Sequence, residues 1–451
     1  MIMLVAAKSK ARTARECGAL ALLVLLAARP ARAAETLPTL PVDRDARFLG
    51  VETCGSSQCH ASPEAWRNAT VSMRERRIWE AHDQHAKAFA SLRSDAGRAI
   101  AHKLGIDDAS QAPQCLSCHT TYVPVAQRGP KFSLEHGVGC ESCHGPGGQF
   151  LATHVQPTSQ HASNVAAGLY PTNQAAPRAA LCLSCHQGDD KRTLGHSLYG
   201  AGHPRLRFEL DTYSALQPYH FLADADYRRR KPMASHLRLW AAGQLRAAEQ
   251  LLTQVKSAHR QGMFPELANY DCQTCHRPIA VDGDHQPRAG AAPGALSLND
   301  APLVVLRALA SVAAPHETGA LRQDSHALQA ALADVTRRDR LIENLKTRVA
   351  SLALAVDNRG EQSGDVGAVV AALFVEARAE QPLAFGAAES IAMSAATLIA
   401  ADYEQQGLSA EQYQRASQAL DGVYAAVGDE RSYRAKTFVA ALDQLAAAVA
   451  R

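Results

Sequence analysis

The sequence predicts a mainly α protein in two parts: an irregular region built of short helices over residues 49–294, then an α-helical bundle over 295–451. Three observations predict it. Ten of the eleven cysteines fall in five short Cys/His motifs within the first part, where Gly and Pro turns are frequent and long apolar repeats few. Two longer amphipathic stretches interrupt that part, about 74–92 and 235–259. After Gly294 the chain has no Cys or Trp, and Ala and Leu recur at helical spacing.

Taken in order, residues 1–33 read as a signal peptide. Lys8, Lys10, Arg12 and Arg15 form a basic start, Gly18 to Ala28 is apolar, and Ala31-Arg32-Ala33 is an A-x-A cleavage signal. The apolar run is about eleven residues, short of the roughly 20 that span a bilayer. Cleavage there removes six basic residues and one acidic, taking the formal charge from +3 to −2. The mature chain therefore has no basic excess for nucleic acid, and Arg228-Arg229-Arg230-Lys231 is its one basic tract. Residues 34–48 form a Pro-containing linker. The expected location is periplasmic or otherwise exported, with no integral membrane span after cleavage near Ala33.

The motifs carry the chemistry. Cys115-Leu-Ser-Cys118-His119, Cys140-Glu-Ser-Cys143-His144, Cys182-Leu-Ser-Cys185-His186 and Cys272-Gln-Thr-Cys275-His276 share the spacing C-x-x-C-H. This is the attachment signature of c-type haem. Thiols one helical turn apart add to the two vinyl groups, and the adjoining imidazole binds the iron. Cys54-Gly-Ser-Ser-Gln-Cys59-His60 is a wider copy, whose glycine and serines let the loop bulge so that both sulfurs still reach a ring. Its alternative is a small Cys54–Cys59 disulfide. The expectation is five covalent haems c, or four if the 54–60 motif is not used. A region packed around porphyrin explains the scarcity of apolar repeats. Zinc is the competing use of paired cysteines, but a histidine directly after every second cysteine of an exported chain fits haem better.

Each motif supplies one axial histidine: His60, His119, His144, His186 and His276. The opposite position decides the chemistry: a second His closes the iron for electron transfer, and a vacant position admits a substrate. Four methionines remain after cleavage, too few for systematic His/Met ligation, while twelve other histidines lie in the haem region. No Cys-x-x-Cys-Lys variant occurs.

Several longer stretches resemble the multihaem c-type cytochromes allied to cytochrome c-554, over about residues 49–300. They are Gly50-Val-Glu-Thr-Cys54, Trp79-Glu-Ala-His-Asp-Gln-His85-Ala-Lys-Ala-Phe and Gly137-Val-Gly-Cys-Glu-Ser-Cys-His-Gly-Pro146. Further on come Ala201-Gly-His-Pro-Arg-Leu-Arg-Phe-Glu-Leu210, Trp240-Ala-Ala-Gly-Gln and Phe264-Pro-Glu-Leu. The resemblance implies closely packed haems, bis-His ligation of most of them, and electron carriage in the periplasm. It assigns His85 as a distal ligand, with His82 as a neighbour on the same helix face. It assigns His154 as another, with His161 the alternative; one branch of the family has its histidine where Phe150 stands. His203 follows a glycine and precedes Pro204, which keeps the backbone from closing into a helix. His196 and His220 complete five distal candidates for five irons, with His236 and His259 in reserve. Relatives often read Cys-His-His-Pro at the fifth motif, where this chain has Arg277, a planar fork suited to a propionate.

The function expected is haem-to-haem electron transfer between redox partners: a quinol oxidase or dehydrogenase on one side, a terminal reductase on the other. The alternative is a multihaem oxidoreductase acting on a small nitrogen or sulfur compound at one open haem. The bundle is expected to cover the haem region or to serve docking or homo-oligomerisation. Its amphipathic segments run about 299–313, 319–336, 338–356, 365–378, 385–402, 409–426 and 430–449, with breaks at Asn358-Arg359-Gly360 and Gln406-Gly407.

Overall fold

The computed structural model describes residues 37–66, 72–221, 224–231, 233–258, 266–276 and 295–450. The expected signal peptide, His259 and Arg277 lie outside these residues. Secondary structure is almost wholly helical, and the described residues contain two isolated β-bridges, Phe48 with Arg128 and Tyr270 with Leu298.

The seven periodic segments of the C-terminal part fold as seven helices: Ala301–Ala313, Pro315–Ala330, Val335–Arg359, Asp365–Ala379, Phe385–Glu404, Ala410–Ala426 and Ala435–Val449. Local chemistry sets their ends. Asp334 accepts from the Arg337 N–H, and Ser409 and Gln412 form a reciprocal capping box. Gly360, at φ 66°, ends the Val335–Arg359 helix in a conformation that favours glycine. Their apolar faces share one core, with Leu306, Leu373, Ile391, Leu398 and Phe438 fully buried.

The His236–Ala258 helix, expected over 235–259, is a wall between the two parts. Leu237, Trp240, Leu251, Leu252 and Val255 enter the bundle core. Leu239, Ala242 and Ala247 pack instead on Ala179, Leu183 and Leu210. Elsewhere in the first part the apolar clusters are small, the other being Phe89, Leu92, Ala101, Ala109 and Leu116. The helix expected over 74–92 is broken. Glu75–His82 and Ala88–Leu92 are separated by a 3-10 turn, because Asp83 is extended (ψ 128°) and its buried carboxylate accepts from the His85 N–H. A local side-chain bond outcompetes the helical period there.

Candidate cofactor sites

Helix geometry presents the motifs as the chemistry requires. Cys115-to-His119 ends the Pro113–His119 helix, Cys140–His144 is itself one helical turn, Cys182-to-His186 ends Ala175–His186, and Gln273–His276 follows Cys272. The wide copy closes differently. The Val51–Cys54 helix gives way to a tight loop in which the His60 N–H returns to the Cys54 carbonyl at 3.1 Å, so the bulge brings Cys59 and His60 back beside Cys54. No disulfide joins any of the ten described cysteines.

The structure brings each motif histidine opposite one other histidine. His60 faces His154 at 6.0 Å between ring centroids, His119 faces His203 at 6.3 Å, and His144 faces His220 at 6.1 Å. His186 faces His85 at 6.0 Å, and His276 faces His196 at 6.0 Å. The His60 and His276 pairs are nearly parallel, at 20° and 22°; the other three are at 77–90°. A metal between two imidazoles, each bonded at about 2.0–2.1 Å, sets ring centres roughly 6 Å apart. All five gaps have that width, so each pair could hold one iron. Among the described residues no three His, Cys, Asp or Glu side chains converge as a metal set, whereas tetrahedral zinc takes four ligands.

Among the described residues, other histidines of the haem region are engaged elsewhere or face solvent. His236 Nδ1 meets Asp211 at 3.0 Å and its Nε2 lies 3.5 Å from Glu404. His161 is exposed and bonds Asn173, and His82 is exposed. Phe150 is buried with its ring edge-on to His154, so it packs beside the histidine that one branch of relatives would place there.

Several paired rings have Nδ1 occupied, which leaves Nε2 for the gap. His60 Nδ1 is 2.9 Å from Glu75, His85 Nδ1 is 2.9 Å from Asp83, His119 Nδ1 is 2.9 Å from the Ala88 carbonyl, and His203 Nδ1 is 2.8 Å from the Pro204 carbonyl. Carboxylates and carbonyls at that position fix the tautomer and the ring orientation of a metal-bound imidazole. Burial pushes His144 down to about 3 and His186 down to about 4, and it lowers His119, His154 and His220 as well. These rings are neutral near pH 7, the form that donates to a metal. His85 goes the other way, raised by its hydrogen bond to Asp83. Burial opposes the charge on Asp83, but bonds from His85 and Gln217 prevail and hold its carboxyl at about 2.

Sequence reading missed the residues that hold these rings. Glu141, inside the third motif, accepts from the backbone N–H groups of Leu49, Gly50 and Gly147 at 2.8, 2.7 and 2.6 Å. It thereby ties the first motif to the third. Gly137, at φ 67°, lies so close to the His85 carbonyl that a Cβ there would meet it at 2.5 Å. Asp83, two residues before His85, was legible as an acid beside a ligand; Glu75 and Glu141 had no such signal.

Five cysteine pairs, each followed by a histidine set across a metal-sized gap from a second one, form the arrangement of a multihaem c-type cytochrome, and the comparisons support that family. Within that class the likeness is to cytochrome c554. Residues 53–145 match the family described as cytochrome c554 and c-prime. Cytochrome c-554 of Nitrosomonas europaea is 34% identical over 120 residues, covering 24% of this chain and 43% of that protein. The chain thus matches less than half the length of that relative, and the matched family segment contains the first three of the five motifs. No solved structure matches the chain. Among the described residues no helix is long and apolar enough to cross a membrane.

Proposed function

We propose that the chain is an exported pentahaem cytochrome c that carries electrons from haem to haem between redox partners. The observation that supports this reading best is the one-to-one pairing of five motif histidines with five others at 6.0–6.3 Å. In it, Cys54/Cys59, Cys115/Cys118, Cys140/Cys143, Cys182/Cys185 and Cys272/Cys275 attach the haems. His154, His203, His220, His85 and His196 are the distal ligands of the first to fifth motifs in that order. The haems supply the one-electron chemistry. The polypeptide orients the imidazoles, excludes water and sets potentials through burial and the groups on Nδ1.

The layout that goes with this reading is a leader over 1–33, a linker to 48, the haem domain over 49–294 and the bundle over 295–451. Periplasmic location, a quinol oxidase or dehydrogenase as donor and a terminal reductase as acceptor belong to the same proposal.

Electron paramagnetic resonance of the oxidised protein tests it. Closed bis-His sites give low-spin signals only. Near-parallel imidazoles split the iron d orbitals and give a rhombic signal; near-perpendicular ones leave them nearly degenerate and give a strongly anisotropic one. Two signals of the first kind and three of the second are expected, unchanged by nitrite or hydroxylamine. A high-spin signal that shifts with either compound would favour the oxidoreductase reading.

The Nδ1 partners give a second test. Asp83→Asn removes the anionic acceptor that stabilises the more positive ferric state at the His85–His186 site. The expected result is a rise in that site's midpoint potential of about 59 mV, a tenfold change in its oxidised-to-reduced ratio. Spectropotentiometric titration reads it, and an unchanged potential contradicts the role given to Asp83.

A further inference from the structure

We propose that the C-terminal bundle is a structural and electrostatic seat for the fifth attachment site, acting through Arg205 as a positioning residue. The inference rests on the reading of Cys272, Cys275 and His276 as a haem site and assigns the bundle a task within it. The segment before this motif is stitched to the start of the bundle: Tyr270 bridges Leu298, the Asp271 N–H bonds the Ser297 carbonyl at 2.8 Å, and the Asn299 N–H bonds the Asn269 carbonyl at 2.9 Å. Gln273, between the two cysteines, donates to the Glu430 carbonyl at 2.6 Å.

Arg205 joins this seat to the rest of the haem region. It lies two residues beyond His203, in the segment that also holds His196, so one short stretch faces both His119 and His276. Its guanidinium donates to the Glu430 carboxylate and, at 3.1 Å, to Glu389, both from bundle residues. It also lies 5.3 Å from the centre of the Phe385 ring and 4.0 Å from Cys272 Sγ, the atom that stands for the thioether sulfur of the loaded protein. Arg207 engages the second oxygen of Glu389 at 2.8 Å. The Glu389 side chain is 8% exposed while those of Arg205 and Glu430 are 26% and 21% exposed, so water screens this group only in part.

A cation close to an attached haem would favour its reduced state, and an anion its oxidised state. Arg205→Leu is therefore expected to lower the midpoint of the fifth site by about 59 mV, a tenfold change in its oxidised-to-reduced ratio. Glu430→Gln keeps the packing and removes one negative charge, so the same midpoint is expected to rise. Arg205→Lys keeps the charge and restores most of the original value. Spectropotentiometry with EPR on the full-length protein reads all three, with intact mass taken on the same samples to count haems. Opposite shifts at one site, with the other four in place, are the expected result. Five haems with unshifted midpoints, or shifts of the same sign in Arg205→Leu and Glu430→Gln, overturn this inference alone. Four haems in the unmodified protein, with free thiols at Cys272 and Cys275, overturn the reading beneath it as well.

Discussion

Replacing Glu141 with alanine is expected to destabilise the protein by roughly 3–6 kcal/mol, because two buried backbone donors and a half-buried one lose their acceptor at once, and each buried group left stranded costs about 1–3 kcal/mol. Glu141 is buried, and its two oxygens take the N–H groups of Leu49, Gly50 and Gly147. The loss is not confined to stability. Leu49 and Gly50 lead directly into the Val51–Cys54 helix, so releasing them frees the first motif from the third. Glu141→Gln keeps one carbonyl acceptor and turns an NH2 toward the remaining donors, so it should fall between the two. Denaturant midpoints of the three proteins check the order, and an alanine variant as stable as the parent would contradict the account of this carboxylate.

Under the proposed ligation, replacing His220 with alanine should convert one low-spin iron to high spin and raise its potential on the order of 100 mV, because axial ligands set haem potentials over about 0.8 V. The choice of His220 is physical. It lies opposite His144, which burial holds neutral, and its ring is packed edge-on against Phe221. Among the described residues His220 is the histidine ring that faces His144, while His60 and His154 face each other across their own gap. The opened iron should then bind cyanide or nitrite, which the parent protein is expected not to do. EPR and optical titration read both effects. A spectrum indistinguishable from that of the parent would remove His220 from the ligand set and with it the pairing at the third motif.

Most of the helical bundle was legible because amphipathic period is a strong signal: seven periodic segments became seven helices, with ends set by residues such as Gly360 and Ser409. The motifs were legible because their spacing is itself the chemistry. Partner choice was not. The His85–His186 and His144–His220 pairs join residues far apart in the chain, and no local pattern encodes which distal ring meets which motif. The break at Asp83 was missed for a related reason: Trp79, Phe89 and Leu92 keep helical spacing across it, while one buried carboxylate bonded to His85 interrupts the backbone. The double role of the His236–Ala258 helix also exceeds what one amphipathic stripe implies, since it buries one face in the bundle and lays another on Leu183 and Leu210. Arg205 looked like an ordinary residue of a family-like stretch. Its meaning depends on Glu389 and Glu430, which lie in a part of the chain that the family match does not reach.

The central claim is that all five Cys/His motifs carry covalent haem. Intact mass of the purified mature protein, combined with a pyridine haemochrome assay, measures this directly. The account predicts a mass increment of roughly 3 kDa over the polypeptide, five haems per chain, and no thiol at the ten motif cysteines that reacts with an alkylating agent. A colourless protein of bare polypeptide mass, with those ten thiols all alkylated, would contradict it.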